Sequence, residues 1–199
     1  MKRALRLVLL ALLGGMLTAL PAQAGSNVLE NPTLLDGHET GVGVEPVAWT
    51  RRGLMEYSDA RMVEKDKAYH FALTADDSAD FPAKCSGNER LHYDGAEAGY
   101  FQIYGGVQGG ETWRMRIRSK LLTGGRGRLF IYARDAAAKN LDWKADLSAR
   151  KLKQWQVLRV TMTLPAGTDT VMAAFRGRVC NPGTEKFRFR KAVLRQLAE

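Results

Sequence analysis

Between Thr112 and Leu121 the side chains alternate without a break. Trp113, Met115, Ile117 and Ser119 share one parity, and Arg114, Arg116, Arg118 and Lys120 share the other. A helix would scatter both sets around its circumference, whereas an extended strand puts them on opposite faces, one buried and one wet. The same period returns along the chain. Gly99–Gly105 sets Phe101 and Ile103 against Tyr100, Gln102 and Tyr104, and residues 127–134 set Leu129, Ile131 and Ala133 against Arg128, Phe130, Tyr132 and Arg134. Similar segments follow at 155–164, 170–179 and 186–197, separated by Gly, Pro, Asn and Asp, as at Gly124-Gly125. Strands at this spacing predict an all-β fold of two antiparallel sheets packed as a sandwich. Residues 58–68 and 144–154 have mixed polarity and are read as loops or short turns.

The first 24 residues follow a different rule. Lys2, Arg3 and Arg6 precede an almost wholly apolar run over residues 5–20, and Pro21 ends it before Ala22-Gln23-Ala24, a small-x-small cleavage site. This pattern predicts a secretory signal peptide over 1–24 and a single mature domain over 25–199, periplasmic or secreted. No later stretch is apolar for long enough to cross a bilayer as a helix. Without the three leading cations, the 30 Lys+Arg become 27 against 21 Asp+Glu, a balance of +6. That is moderately basic; it suits acidic partners without requiring nucleic acid, which an exported protein rarely meets. The chain has two cysteines, Cys85 and Cys180, and an oxidising compartment lets them pair as a disulfide.

The order of short motifs carries a resemblance. Asn27-Val28-Leu29-Glu30-Asn31-Pro32 followed by Glu45-Pro46-Val47-Ala48-Trp49 resembles the opening of carbohydrate-binding modules of families 4 and 9 and of related galactose-binding-like jelly rolls. Tyr100-Phe101-Gln102-Ile103 with Gly109-Gly110-Glu111-Thr112-Trp113 is similar to their central strand pair. Trp155-Gln156-Val157-Leu158 with Leu164-Pro165-Ala166-Gly167-Thr168 is similar to the later one, and Phe187-Arg188-Phe189 to their closing strand. The resemblance runs from about residue 27 to 197. It implies a jelly-roll β-sandwich, galactose-binding-like, that binds a polysaccharide or oligosaccharide without cutting it. It also implies that Gln102 occupies a position similar to a ligand-contacting Gln, and that Trp113 and Trp155 are packing residues. Such modules often hold a structural calcium through an acidic residue in the opening and an Asp in the last strand. Here that last position reads Phe189-Arg190-Lys191-Ala192, which offers cations instead of oxygen ligands, so no metal or other cofactor is expected.

Saccharides need aromatic faces for their C–H sides and planar polar groups for hydroxyls and carboxylates. The candidate carbohydrate-binding residues are therefore Tyr100, Gln102, Tyr104, Arg116, Arg118, Tyr132, Arg134 and Trp143, with Arg176 and Arg178 on a further strand. If their strands share one sheet, they form an aromatic and guanidinium surface suited to an acidic glycan. The plain alternative is a solvated outer face with ordinary strand tyrosines. Trp49 fits rim or core equally, and Tyr57 is a weaker contact candidate.

Catalytic signals are thin. His38, His70 and His92 lack zinc-ligand spacing, and no G-x-S-x-G motif is present. His92 and Tyr93 with Tyr100 and Gln102 could serve a polysaccharide lyase, and paired carboxylates a hydrolase, but neither set has supporting motifs. The other class of function open to such a sandwich is a cell-envelope module that binds a protein partner.

Overall fold

The computed structural model describes residues 25–41, 43–53, 56–75, 97–180 and 182–198. Where alternation is strongest, strands form with nearly the expected bounds. In chain order they are β1 (Gly37–Thr40), β2 (Gly43–Pro46), β3 (Thr50–Arg52), β4 (Glu56–Val63), β5 (Ala68–Ala75) and β6 (Glu97–Gly105). Then come β7 (Thr112–Leu121), β8 (Arg126–Arg134), β9 (Asn140–Ala149), β10 (Gln156–Thr163), β11 (Thr170–Arg178) and β12 (Gly183–Gln196). Among the described residues they build a seven-stranded sheet in the order β1-β2-β4-β5-β12-β7-β10 and a five-stranded sheet in the order β3-β6-β11-β8-β9. Neighbours run antiparallel, except that β2 meets β4 in parallel at Gly43 and Ala60.

The two stretches read as loops are largely strand. Residues 58–68 hold most of β4, a short 3-10 turn at Glu64–Asp66, and the first residue of β5. Their alternation is blurred by a bulge between Ser58 and Arg61, where Asp59 takes a positive φ of 54°. Residues 144–154 hold the second half of β9. As an edge strand β9 is wet on much of both sides, and so has no apolar parity to read. The signal-peptide residues 1–24, and Cys85, His92 and Tyr93, lie outside the described residues.

One apolar layer joins the sheets. The seven-stranded sheet contributes Tyr69, Phe71, Trp113, Met115, Ile117, Phe187 and Phe189; the other contributes Tyr100, Leu129, Ile131 and Phe175. Ring packing is continuous from sheet to sheet: Phe187 and Phe189 stack on Phe71 at 5.6 and 5.7 Å, and Phe175 meets Phe189 at 4.7 Å between centroids. Gly177 on β11 leaves room for this layer, since a Cβ there would lie 2.7 Å from the Phe187 ring. The opening segment is laced onto β12. Val28 N–H donates to Leu194 O at 3.0 Å, and the Asn27 side chain accepts from Leu194 N–H at 2.9 Å and donates to Ala192 O at 3.2 Å. Trp49 joins the core edge-on to Phe175 at 5.1 Å, and Tyr57 is buried there too.

At one end of the sandwich a carboxyl group is buried. Glu185 lies against the Gly124-Gly125 turn, where Gly125 has φ 72°, and it accepts hydrogen bonds from the Cys180 and Gly125 amides. Burial dominates over these bonds and pushes its pKa up to about 7. A folded-state pKa above the unfolded value means that Glu185 favours folding below about pH 4.5, and that this contribution is lost as pH rises through 7. Stability should therefore fall between pH 5 and 8, by on the order of 3 kcal/mol from this group. Chemical denaturation across that range should show the Glu185→Gln variant with a flatter profile than the wild type; parallel profiles would rule out Glu185 as the source.

Candidate functional site

The core fixes which side of each strand faces outward, and this reassigns three of the eight expected contacts. On β6, Tyr100 is fully buried and points to the other sheet. Its hydroxyl lies 2.8 Å from the Tyr69 hydroxyl and donates to Glu45 Oε1 at 3.1 Å. Burial pushes the phenols of Tyr57, Tyr69 and Tyr100 well above their ordinary range, so they remain neutral hydrogen-bonding groups. Gln102, on the same side, grips the opening segment with both ends of its amide: Oε1 accepts from Glu30 N–H at 3.1 Å and Nε2 donates to Glu30 O at 2.8 Å. Tyr104 packs against Trp113 at 5.4 Å. The expected ligand face of β6 is thus structural, and the residues that face outward are Phe101 and Ile103, the latter 50% exposed.

Arg116 and Arg118 do project outward, but from β7, in the seven-stranded sheet. Tyr132 and Arg134 belong to β8, in the five-stranded sheet. The two sets lie on opposite outer faces of the sandwich and form no common surface. Trp155 also departs from expectation. It is only half-buried, with the Arg190 guanidinium 4.0 Å from its ring centroid.

The outer face of the five-stranded sheet is what the expected residues Tyr132, Arg134 and Trp143 share. Register places Tyr132 opposite Trp143 and opposite Met172, and Phe130 opposite Ala145 and Ala174. An antiparallel sheet normally offers water a polar side. This one carries a second apolar cluster whose members Phe130, Tyr132, Met172 and Ala174 are all buried, so the expected contact Tyr132 is a packing residue, joined by the half-buried Phe101, Trp143 and Leu147. Trp143 stacks with Tyr132 at 6.3 Å and 30°.

Guanidinium groups are set among these rings. Arg176 lies 4.5 Å from the Phe130 centroid and donates to the Tyr132 hydroxyl at 2.9 Å, and Arg128 lies 5.0 Å from Phe130. Arg52 reaches over Tyr132 at 5.9 Å from β3. Glu97 pairs with Arg128 and lies 3.8 Å from Arg176. Burial holds Arg128 below its ordinary pKa against the pull of Glu97, and desolvation together with the Arg176 charge lowers Arg52. Arg134 is partly committed elsewhere, since Nε and Nη2 donate to Ala138 O at 2.9 and 2.5 Å and hold the β8–β9 turn. Sequence reasoning missed Phe101, Phe130 and Arg52. For Phe130 the signal was available, because an aromatic on the outward parity of β8 is out of place on a solvated face.

Beside Trp143 the sandwich is open along one edge. A groove of about 920 Å³ runs between β9 and β10, lined by Asp142, Trp143, Lys144, Asp146, Arg159 and Thr161 among others. Asp146 spans it: Oδ2 accepts from Arg159 N–H at 2.7 Å, and Oδ1 from Ser148 N–H at 2.9 Å. Among the described residues no group of three His, Cys, Asp or Glu side chains is placed to hold a metal ion.

This architecture is similar to solved carbohydrate-binding modules. A CBM4 module matches with a TM-score of 0.55 at 14% identity, over 84% of this chain and 98% of that one. The CBM22-1 xylan-binding domain from Paenibacillus barcinonensis Xyn10C matches with a TM-score of 0.51 at 14% identity, over 89% and 99%. The enzymatically active domain of bacteriophage CBA120 tailspike protein 4 matches at 0.54 and 11% identity over 86% of this chain, which spans only 21% of the tailspike chain. No protein-family model and no curated protein sequence matches. The fold is therefore an all-β jelly-roll sandwich of the kind seen in CBM4 and CBM22 modules.

The reassignment of Tyr100 is testable. Tyr100→Phe should lower unfolding free energy by about 1–2 kcal/mol, because the Tyr69 hydroxyl and Glu45 each lose a buried partner. Urea unfolding that matched the wild type would contradict the buried Tyr69–Tyr100–Glu45 chain.

Proposed function

We propose that this chain is an exported, non-catalytic carbohydrate-binding protein that holds a polysaccharide against the outer face of its five-stranded sheet. The observation that carries the reading is the ring cluster on that face. The half-buried Phe101 and Trp143 supply apolar surface beside the buried Phe130 and Tyr132 rings, where a solvated sheet would carry polar residues, and Trp143 continues it into the β9–β10 groove. Rings of this kind accept the C–H faces of pyranoses, and the groove lies within the size range of ligand sites. Arg52 stands exposed over the rings, while Arg128 and Arg176 are buried against them with Glu97 as the paired carboxylate of those two among the described residues. That imbalance favours a glycan bearing carboxylate or sulfate groups. The modules of similar fold add support, one of them described as xylan-binding.

The groove's carboxylates are poorly arranged for glycoside hydrolysis. Asp142 and Asp146 stand four residues apart on one strand, about 13–14 Å between Cα atoms. Glycosidases place their two carboxyl groups about 5–9.5 Å apart across the scissile bond. Both are also engaged by backbone amides, Asp142 by Trp143 N–H at 2.7 Å and Asp146 by two others.

Affinity electrophoresis in gels holding xylan, mixed-linkage glucan or polygalacturonate should retard the protein in at least one gel. Trp143→Ala should weaken that binding about tenfold or more, as loss of a central aromatic contact does. No retardation in any gel at low and moderate salt would overturn the reading.

Export and a Cys85–Cys180 bridge belong to the same proposal. No cysteine among the described residues is a free thiol, which supports the bridge. Mass spectrometry of protein recovered from the periplasm or medium should give a chain starting at Gly25. It should be a pair of hydrogens lighter than its reduced form; a chain retaining Met1 or two free thiols would contradict this part.

A further inference from the structure

The opposite side of the sandwich carries a charge pattern that the aromatic face does not use. On the outer face of the seven-stranded sheet, β7 lies between β12 and β10. Register sets cation against cation at successive outward positions. Arg195 faces Arg114, Arg159 faces Arg116, Arg190 faces Arg118 and Arg188 faces Lys120. Like charges directly opposite destabilise a sheet. Four such pairs along about 20 Å of strand are a standing cost to folding.

Among the described residues, ion pairs compensate one end of this ladder. Asp66 pairs with Arg188, lies 3.8 Å from Lys120, and accepts from Arg190 at its main-chain oxygen at 2.6 Å. Burial opposes its charge, but the Arg188 hydrogen bond and the nearby cations hold its pKa below the ordinary carboxylate range. At the other end, none of the ion pairs among the described residues reaches Arg114, Arg116, Arg159 or Arg195. Those four side chains and Val193 line a pocket of about 140 Å³. Arg114 donates to Thr161 Oγ1 at 3.3 Å, which aims one guanidinium across the strand pair.

We propose that this arginine pocket is a second binding site, for the carboxylate or sulfate groups of a linear acidic polysaccharide. Three features select a chain-like anion. The ladder is a line of cations. Its pocket has room for one anionic group at a time. Arg159 and Thr161 border both this region and the groove beside Trp143, so one polymer can pass from the groove onto the ladder. The inference rests on the proposed function only for the class of polymer; the site itself follows from the unpaired charges.

The test is calorimetric titration of the mature protein with heparin at several salt concentrations. Wild-type affinity should fall steeply with salt, as cation release from a polyanion requires. The double variant Arg116→Gln/Arg159→Gln should bind heparin about tenfold or more weakly with a shallower salt slope. Its melting temperature should be unchanged or higher, because a repelling pair is removed, whereas a structural role would lower it. Arg114→Gln/Arg195→Gln should behave alike and guards against a local folding defect in the first variant. Lys65→Gln/Lys139→Gln removes the same net charge elsewhere and should retain affinity. Unchanged binding in both arginine variants, or an equal loss in the lysine variant, would overturn the site. Tighter binding to a single-stranded oligonucleotide or to anionic phospholipid vesicles than to heparin would overturn the glycan assignment. Loss of gel retardation in Trp143→Ala with heparin binding intact would separate the two faces. Heparin binding in a protein that no neutral or uronic gel retards would sink the aromatic-face reading alone.

Discussion

The contact on which the rest depends is the ring packing of Phe71, Phe189 and Phe175 across the two sheets. Stacked sheets sit about 10 Å apart, and large interdigitating rings fill that gap at native density. Once Phe189 and Phe175 face each other, the parity of β12 and β11 is set, and hydrogen-bonded register passes that parity to every neighbour. A single slip would turn each strand's apolar set to water. The orientation of Arg176, Tyr132 and Trp143 on one outer face, and of Arg116 and Arg159 on the other, follows from that one choice.

Alternation reveals which residues share a side, but not which side is inside, nor which sheet a strand joins. Strand bounds were legible: β7 and β8 lie within a residue of where their patterns placed them. Tyr100, Gln102 and Tyr104 were also correctly grouped. They look like a ligand face because Tyr and Gln carry polar atoms. What makes them interior is the Tyr69 hydroxyl, 31 residues away, and the Glu30 backbone, 72 residues away. No local pattern encodes such partners. Arg116 and Arg118 failed as neighbours of Tyr132 for a topological reason. β7 is next to β8 in sequence, but the chain crosses to the other sheet between them. β9 was missed because an edge strand has few buried positions to mark its period, and β4 because its bulge breaks the count.

The two outer faces deal with positive charge differently. On the five-stranded sheet the guanidiniums are laid against rings, where the negative faces of Phe130 and Tyr132 and the carboxylate of Glu97 offset their repulsion. Along the β12–β7–β10 ladder of the seven-stranded sheet, the offset among the described residues is confined to the Asp66 end, with Arg190 over Trp155 beside it. The remaining ladder arginines, Arg114, Arg116, Arg159 and Arg195, contribute field rather than stability. Such a surface speeds encounter with anions at low ionic strength and loses that advantage as salt rises.

The bulge in β12 has a consequence for how sequences of this kind can drift. Before it, odd-numbered Phe187 and Phe189 point inward; after it, even-numbered Ala192 and Leu194 do, with Lys191 at φ 56° taking up the change. Lys191 is the extra residue that makes the switch: deleting it would leave Phe187, Phe189, Ala192 and Leu194 together on the inward side of an unbulged strand. A single-residue gap at this point is therefore a length change the strand can absorb with its inward set intact, and substitutions at Lys191 that tolerate a left-handed backbone, Asn or Gly foremost, should pass freely.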